Sequence, residues 1–471
     1  MPTDFAGKRV VVMGLGRFGG GVGVTRWLHG QGARVHVTDL GDEEALAKSL
    51  LALKGLDISY RLGRHDEADL HGCDLLVVNP AVDKRKAPFF HAAVRRGIPW
   101  SSEMNLFLER CPGRIVGITG TVGKSTTTAM IGDILDAAKA APGWRHGQAW
   151  LGGNIGKSLL DGLSGMTPRD IVVLELSSFQ LEDAANGRRS PHVALITNLR
   201  DNHLDRHGTM RAYADAKANI YRFQTADDWL IMPFEGGIEH LPQDWTGHAR
   251  LARFGIDPKS RRVRLLLPTC GTGFQPVSRQ TPDELDVSLS VPGLHNVQNA
   301  AAAMAVSRIL DVPDAVAKEA LFAFAGLAHR LEFVREFQGV RYYNDSKATT
   351  PDAAITSLKA FDCGIVALVG GSDKGCSFAE LGRELAKRAK GIICMGDTQE
   401  AIRREILLAA NASRPPVIKT ASNSQEAVEF ARQLAGSGDV VLLSPACASF
   451  DWFRNYEERG ETFKTLVAAL A

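Results

Sequence analysis

The sequence predicts an α/β protein of three successive domains, each built on a parallel sheet. Three observations predict it. The chain is 471 residues long, well beyond what one ordinary hydrophobic core organises. Short β-branched runs recur in three groups along it. Helical stretches with apolar residues at 3.6-like spacing separate several of those runs, which is the pattern of parallel strands joined by crossover helices.

The first group comprises KRVVVMG, ARVHVTD and CDLLVVN, with the helix-like EEALAKSLLAL among them. GRIVGITG, DIVVLELS and HVALITN form the second. The third holds CGIVALVGG, KGIICMG and DVVLLSP, interleaved with FAELGRELAKRA and QEAVEFARQLA. The CPGR turn near Cys111 and the AGLAHR stretch near Gly326 mark the boundaries, so the expected domains are 1–111, 112–326 and 327–471. From about Leu241 to Pro292 periodicity is poor and turn formers abound, which predicts loops and short strands.

Charge and cysteine usage narrow the function. With 55 basic and 53 acidic residues the net charge is +2, too small a field for nonspecific binding to nucleic acid or an anionic membrane. Small-molecule partners are expected. Seven cysteines stand singly with no C-x-x-C pair, as in reduced cytosolic thiols. No run approaches the roughly 20 apolar residues of a membrane span, and the N-terminus lacks the charged-then-apolar pattern of a signal peptide. The expectation is a soluble, cytoplasmic monomer.

Two glycine loops carry the chemistry. MGLGRFGGGVGVTRWL follows the first strand, and its Gly14, Gly16 and Gly19 have the G-x-G-x-x-G spacing that lets a backbone turn tightly under a phosphate. Asp39 ends the next strand, where a carboxylate could bond a ribose. Taken alone, the loop fits NAD, another nucleotide or a glycine-rich packing turn.

GITGTVGKSTTT follows the strand RIVGITG and opens a helix. Gly120 and Gly123 free the backbone around phosphates, Lys124 reaches the outer ones, and the Ser125 hydroxyl can ligate magnesium. Ile118 stands where the strict P-loop pattern has glycine, so the form here is T-G-T-x-G-K-S. A nucleoside triphosphate site is predicted, and a dehydrogenase has no use for one. Glu175 closes the apolar strand DIVVLELS, at the sheet edge where open α/β sheets bind ligands, and is a candidate for a hard cation. His203, Asp205 and His207 crowd the run TNLRDNHLDRHG, but without HExxH or a cysteine pair they do not spell zinc.

These motifs occur together with YADAKANIY, GLHNVQNA, HRLEFV, NDSKAT, LVGGSDKG and LLSPACASFDWFRNYEERG, in the order found in the Mur ligases. The chain resembles that family, and the later motifs resemble its D-glutamate-adding members. The resemblance implies a Rossmann-like first domain, a central P-loop ATPase-like domain and a Rossmann-like C-terminal domain that brings in the amino acid. It also implies ATP-driven amide formation between UDP-N-acetylmuramoyl-L-alanine and glutamate through an acyl phosphate, a step of peptidoglycan precursor synthesis. The first loop would then hold UDP rather than NAD.

Site residues follow from the same resemblance. Gly14, Leu15, Gly16, Asp39 and Asn154 match the UDP-substrate site. Gly120, Thr121, Gly123, Lys124, Ser125 and Thr126 match the ATP loop, and Asn296, Asn299, Arg330, Asp345 and Lys347 match further ATP contacts. His329 pairs with Arg330 in the family's interdomain motif. Two magnesium ions are implied, with Ser125, Glu175, His203 and a carbamylated Lys217 as ligands, and Lys124, His203 and Lys217 as the residues of catalysis. Thr349, Lys374, Ser449 and Phe450 match the glutamate pocket. Departures are the glycine-rich first loop with Arg17 and Phe18, Val122 for a polar residue, His207 for an aromatic and Tyr456 for phenylalanine. Alternatives are a related ligase for L-glutamate or another amino acid, a folylpolyglutamate synthetase-like enzyme, and a nucleotide-gated binding module.

Overall fold

A computed structural model describes residues 5–16, 19–154, 158–242, 249–257, 259–268, 281–373, 375–410 and 415–470. Three sheets follow one another along the chain. The first has five parallel strands: β1 (Arg9–Met13), β2 (Arg34–Thr38), β3 (Ile58–Arg61), β4 (Leu75–Val78) and β5 (Trp100–Ser101), in the order β3-β2-β1-β4-β5. The order reverses at β1, so the crevice where open α/β sheets take ligands lies at the end of β1, beside the glycine loop.

The second sheet contains β6 (Arg114–Thr119), β7 (Ala149–Gly153), β8 (Ile171–Glu175), β9 (Val193–Ile196), β10 (Trp229–Pro233), β11 (Arg250–Ile256), β12 (Val263–Leu266) and β13 (Asp283–Leu285). Its order is β13-β12-β11-β10-β9-β6-β8-β7, parallel except for the β11-β12-β13 meander. The meander supplies the short strands expected between Leu241 and Pro292. β6 and β8 are buried along nearly all their length, as parallel strands covered on both faces must be.

The third sheet runs β14 (Glu332–Phe337), β15 (Val340–Asn344), β19 (Val440–Leu443), β16 (Ile365–Gly370), β17 (Ala389–Met395) and β18 (Val417–Ala421), with only the β14–β15 hairpin antiparallel. The chain divides into two compact units, 1–287 with 298–321, and 288–297 with 322–471. In the first unit one apolar cluster runs through Val10, Leu28, Phe107, Leu160 and Leu181, joining residues of the first two sheets. In the second unit separate clusters around Leu381 and Phe463 cover the sheet. No described helix is long and apolar enough to cross a membrane.

Candidate active site

β6 ends at Thr119, and the chain turns through Gly120 to Gly123 into the helix Lys124–Ala138. Gly123 caps that helix in the left-handed region at φ 88°, and a Cβ there would strike Asn299 Oδ1. Only glycine meets both demands. The residues after β9 brace the loop. Asn198 Oδ1 accepts from Val122 N at 3.1 Å, while Thr197 Oγ1 and Asn198 Nδ2 donate to Val122 O at 2.7 and 3.0 Å. Thr121 Oγ1 donates to Arg200 O at 3.1 Å and accepts from Arg200 N at 2.9 Å. The bracing uses the backbone N and O of Val122, a residue 52% exposed, so these bonds do not depend on a polar side chain there.

Charge gathers around this loop. Lys124 Nζ donates to Gly120 O at 3.0 Å and Thr121 O at 2.9 Å, curled over the cradle. Ser125 and Thr126 are buried in the first helical turn. Parallel register sets Glu175 beside Ile118 on one side and Gly153 on the other, so the end of β8 reaches the same sheet edge. Glu175 is 2% exposed; its Oε1 accepts from Asn154 Nδ2 at 3.0 Å, and its Oε2 is buried with no hydrogen-bond partner. A buried carboxylate oxygen without a donor is costly, and it fits a cation. Ser125 and Glu175 are oxygen donors of the hard kind magnesium takes.

Lys217 lies on the helix Met210–Ala218 and is 1% exposed. Its Nζ donates to Gly120 O at 2.9 Å and Thr119 Oγ1 at 3.2 Å, and sits 4.7 Å from the centre of the Tyr213 ring. Burial pulls its pKa well below the ordinary lysine value, and the charge of Lys124 adds to the effect. His203 caps the short helix Leu204–His207 at φ 55°, with its ring 5.1 Å from Phe179 and 6.5 Å from Tyr213. Tyr213 OH stands 3.2 Å from Thr121 Oγ1, so His203, Lys217 and the cradle share one aromatic neighbour.

His207 is a buried partner of the core. Its Nε2 lies 2.9 Å from Ser178 Oγ and its ring stacks on Phe179 at 5.4 Å. Burial, helped by the charges of His203, Arg206 and Lys217, brings its pKa down to about 4. The side chain of Asp205 lies outside the described residues. Among the described residues no three His, Cys, Asp or Glu side chains converge as a metal group; the ligand set expected for magnesium includes a hydroxyl and a modified lysine instead.

The first loop is tied down by side chains. Gly16 N donates to Asp39 Oδ2 at 3.0 Å, Gly41 N to Asp39 Oδ1 at 2.7 Å, Ser49 Oγ to Gly16 O at 2.7 Å and Asn79 Nδ2 to Gly14 O at 3.1 Å. Leu15 is fully buried, and Gly19 caps the helix Gly20–Gly30 at φ 93°. Asp39 thus shapes the loop, a task the ribose pattern did not disclose. Asn154 turns both its backbone N–H and its side-chain amide toward Glu175, at 2.7 and 3.0 Å, and so orients that carboxylate. Arg17 and Phe18 lie outside the described residues.

The second unit holds the remaining candidates. Asp345 follows β15 in a closed cage: Ser444 Oγ donates to Oδ2 at 2.8 Å, Ser357 Oγ to the same atom at 2.5 Å, and Leu331 N to Oδ1 at 3.2 Å. Burial raises its pKa to about 6. His329 contacts Asn344 at 3.0 Å through Nδ1, and its ring meets Tyr456 edge-on at 5.8 Å. Lys347 Nζ lies 5.3 Å from the Tyr456 ring, so tyrosine serves as the aromatic wall there. Arg330 follows His329, and its charge works against the rise in the Asp345 pKa. Asn296 Nδ2 donates to Pro292 O at 2.6 Å at the start of the helix Leu294–Ile309.

Thr349 N donates to Lys347 O at 2.9 Å. Ser449 is buried and Phe450 is 69% exposed. Lys374 lies outside the described residues. Sequence reading missed Arg459, which is 3% exposed and organises this corner: Nε donates to Ser346 Oγ at 2.9 Å, Nη1 to Ala448 O at 3.1 Å, and Nη2 to Ser346 O at 2.9 Å and Cys447 O at 3.0 Å. Its only sequence signal is its place in NYEERG, on the helix Tyr456–Ala468.

Comparison with known proteins finds relatives along nearly the whole chain. Family models match in chain order: the MurD-like N-terminal domain over residues 8–101, the Mur ligase middle domain over 118–307, and the glutamate ligase domain of Mur ligases over 329–447. A Roseiflexus protein named UDP-N-acetylmuramoylalanine--D-glutamate ligase is 40% identical, with 98% of this chain and 99% of that one covered. Its namesake from Symbiobacterium thermophilum is 37% identical, with 98% of each covered. Among solved structures, the fold is similar to UDP-N-acetylmuramate-alanine ligase MurC from Thermotoga maritima (TM-score 0.57, 20% identity, 98% and 99% covered). It is also similar to the MurF ligase of that organism in complex with ADP (TM-score 0.55, 16% identity, 93% and 96% covered).

Proposed function

The chain belongs to the Mur ligase family, and we propose how its cradle performs the family's work. It is an ATP-dependent carboxylate–amine ligase that adds D-glutamate to UDP-N-acetylmuramoyl-L-alanine in peptidoglycan precursor synthesis. The substrate carboxylate attacks the γ-phosphorus of ATP and ADP leaves, giving an acyl phosphate. The amine of glutamate then attacks the carbonyl carbon, and phosphate leaves through a tetrahedral intermediate. Both steps concentrate negative charge, so the site needs cations and N–H donors more than a strong base.

Lys124 and the amides of Gly120 to Ser125 bind and orient the phosphates. Ser125, Glu175 and His203 would hold magnesium, which when bound neutralises phosphate charge. The observation that carries this reading is the buried, partnerless Oε2 of Glu175 at the edge shared with the lysine-bearing loop. Burial moves the Lys217 pKa down from the ordinary lysine value and so favours the neutral amine, the form that adds carbon dioxide and releases a proton. The resulting carbamate would turn a buried base into an anionic ligand, and a carbamate resonance from labelled bicarbonate, lost in Lys217→Ala, checks this without turnover. Gly14, Leu15, Gly16 and Asp39 seat the UDP moiety, with Asn154 setting the carboxylate of Glu175. Asn296, Asn299, Arg330, Asp345 and Lys347 serve the nucleotide of ATP. Thr349, Lys374, Ser449 and Phe450 receive glutamate, whose two carboxylates call for a cation and hydroxyl or amide donors.

The test is phosphate release with UDP-N-acetylmuramoyl-L-alanine, ATP and each glutamate enantiomer in turn. D-glutamate gives stoichiometric ADP and amide. Equal or greater turnover with L-glutamate contradicts the substrate assignment.

A further inference from the structure

Building on the proposed function, we infer that Arg206 is a positioning residue that fixes the spacing between the loop seating the nucleotide sugar and the loop carrying His203. The loop leaving β4 is shaped by Asn79, whose N–H donates to Met13 O at 2.9 Å and whose side chain donates to Gly14 O and accepts from Ala81 N at 2.9 Å. Glycine is required opposite it, because a Cβ at Gly14 would lie 2.8 Å from the Asn79 Cβ. The next three carbonyls of this loop all accept from one guanidinium. Arg206 Nη2 donates to Pro80 O and Val82 O at 2.9 Å each, and Nη1 to Ala81 O at 3.0 Å.

Arg206 sits three residues beyond His203 on the same short helix, and its N–H donates to His203 O at 3.1 Å. Its guanidinium lies 4.1 Å from the Phe179 ring, on the helix Ser178–Gly187 that follows Glu175. Two further ties hold the same seam: Arg85 donates to Arg206 O, and Lys84 Nζ pairs with the buried Asp183 at 2.7 Å. A cation whose two terminal nitrogens donate to carbonyls while its guanidinium lies over an aromatic ring, with no hydrogen bond to a carboxylate among the described residues, is fixing shape. A lysine ammonium, a single point charge, cannot reproduce that fork. The chain of contacts from Gly14 through Asn79 and Arg206 to His203 therefore sets how far the substrate carboxyl lies from the phosphate cradle.

The experiment compares full-length wild type, Arg206→Ala and Arg206→Lys, following ADP release with UDP-N-acetylmuramoyl-L-alanine and D-glutamate, together with ATP binding and thermal melting. In both variants kcat falls about tenfold or more, within the roughly hundredfold that a misplacement of about 1 Å can cost. The KM for ATP stays within about threefold of wild type, because the ATP loop is untouched. Millimolar guanidinium restores part of the Arg206→Ala rate and methylammonium does not. Wild-type kcat in Arg206→Lys overturns the inference, as does equal rescue by the two cations. Loss of ATP binding and melting temperature in Arg206→Lys as well would make the role general stability and also overturn it. A wild-type enzyme that forms no ADP strikes the proposed function as a whole, a result visible before any variant is made.

Discussion

The two glycine loops begin alike and end as different devices. Each leaves a parallel strand, and each enters a helix through a left-handed glycine, Gly19 at φ 93° and Gly123 at φ 88°. Around the first loop, side chains neutralise the backbone: Asp39 takes the Gly16 N–H, while Asn79 and Ser49 bond the Gly14 and Gly16 carbonyls. Around the second, two lysines donate to the Gly120 carbonyl and a buried carboxylate oxygen of Glu175 has no hydrogen-bond partner. On the proposed function, the same local geometry would hold a ligand in one place and load charge for phosphoryl transfer in the other. What differs is supplied by neighbouring strands and helices, not by the glycines.

The sharpest way to break this contrast is to discharge the second loop. Lys124→Ala and Glu175→Ala each lower turnover by about a thousandfold or more, because the first removes a cation from where the transition state gathers negative charge and the second removes the carboxylate proposed to hold one. Steady-state ADP release measures the loss, and near-normal rates in both remove these residues from the mechanism. Lys217→Ala comes next, with a loss of about a hundredfold that added formate or acetate reverses in part by supplying the missing anion. A rate indifferent to the substitution dismisses the carbamate.

The first loop responds differently. Asp39→Ala frees two amides and loosens the seat, so the KM for the nucleotide sugar rises about tenfold while kcat holds. A fall in kcat with unchanged KM would mean that this loop also reacts. The smallest effect on turnover is expected at His207, whose role is in stability. Its folded pKa of about 4 lies below the unfolded 6.5, so the unfolded chain binds the proton first. The stability it contributes is complete above about pH 6.5 and drains away as pH falls toward 4, by about 3 kcal/mol at most. His207→Phe keeps the ring stack and flattens that stretch of the pH–stability curve, which denaturant melts at successive pH values measure.

The contrast also separates what the chain discloses from what only the fold does. The second loop was legible because its chemistry is local: glycines, lysine and serine lie within a few residues, directly after an apolar strand. Glu175 was legible too, since a carboxylate ending a buried strand reaches the ligand edge of a parallel sheet. The strand groups behave likewise, for every β-branched run named from the sequence lies on a strand of the three sheets. Partners that meet across a hundred residues left no such trace. The fork of Arg206 on Pro80 to Val82, the bonds of Arg459 to Ser346 and Cys447, and the serine cage of Asp345 depend on which helix ends meet which loops. Asn154 looks like any turn asparagine until β7 is paired with β8, when its amide proves to be turned onto Glu175. The opening loop spelled a dinucleotide site, and only the motifs downstream turned that reading toward UDP.

The most direct measurement follows oxygen. UDP-N-acetylmuramoyl-L-alanine labelled with ¹⁸O in its alanyl carboxylate is turned over with ATP, magnesium and D-glutamate, and the released phosphate is weighed by mass spectrometry. A cradle that phosphorylates the carboxylate moves one labelled oxygen into phosphate for each amide formed; unlabelled phosphate alongside normal amide yield contradicts the account.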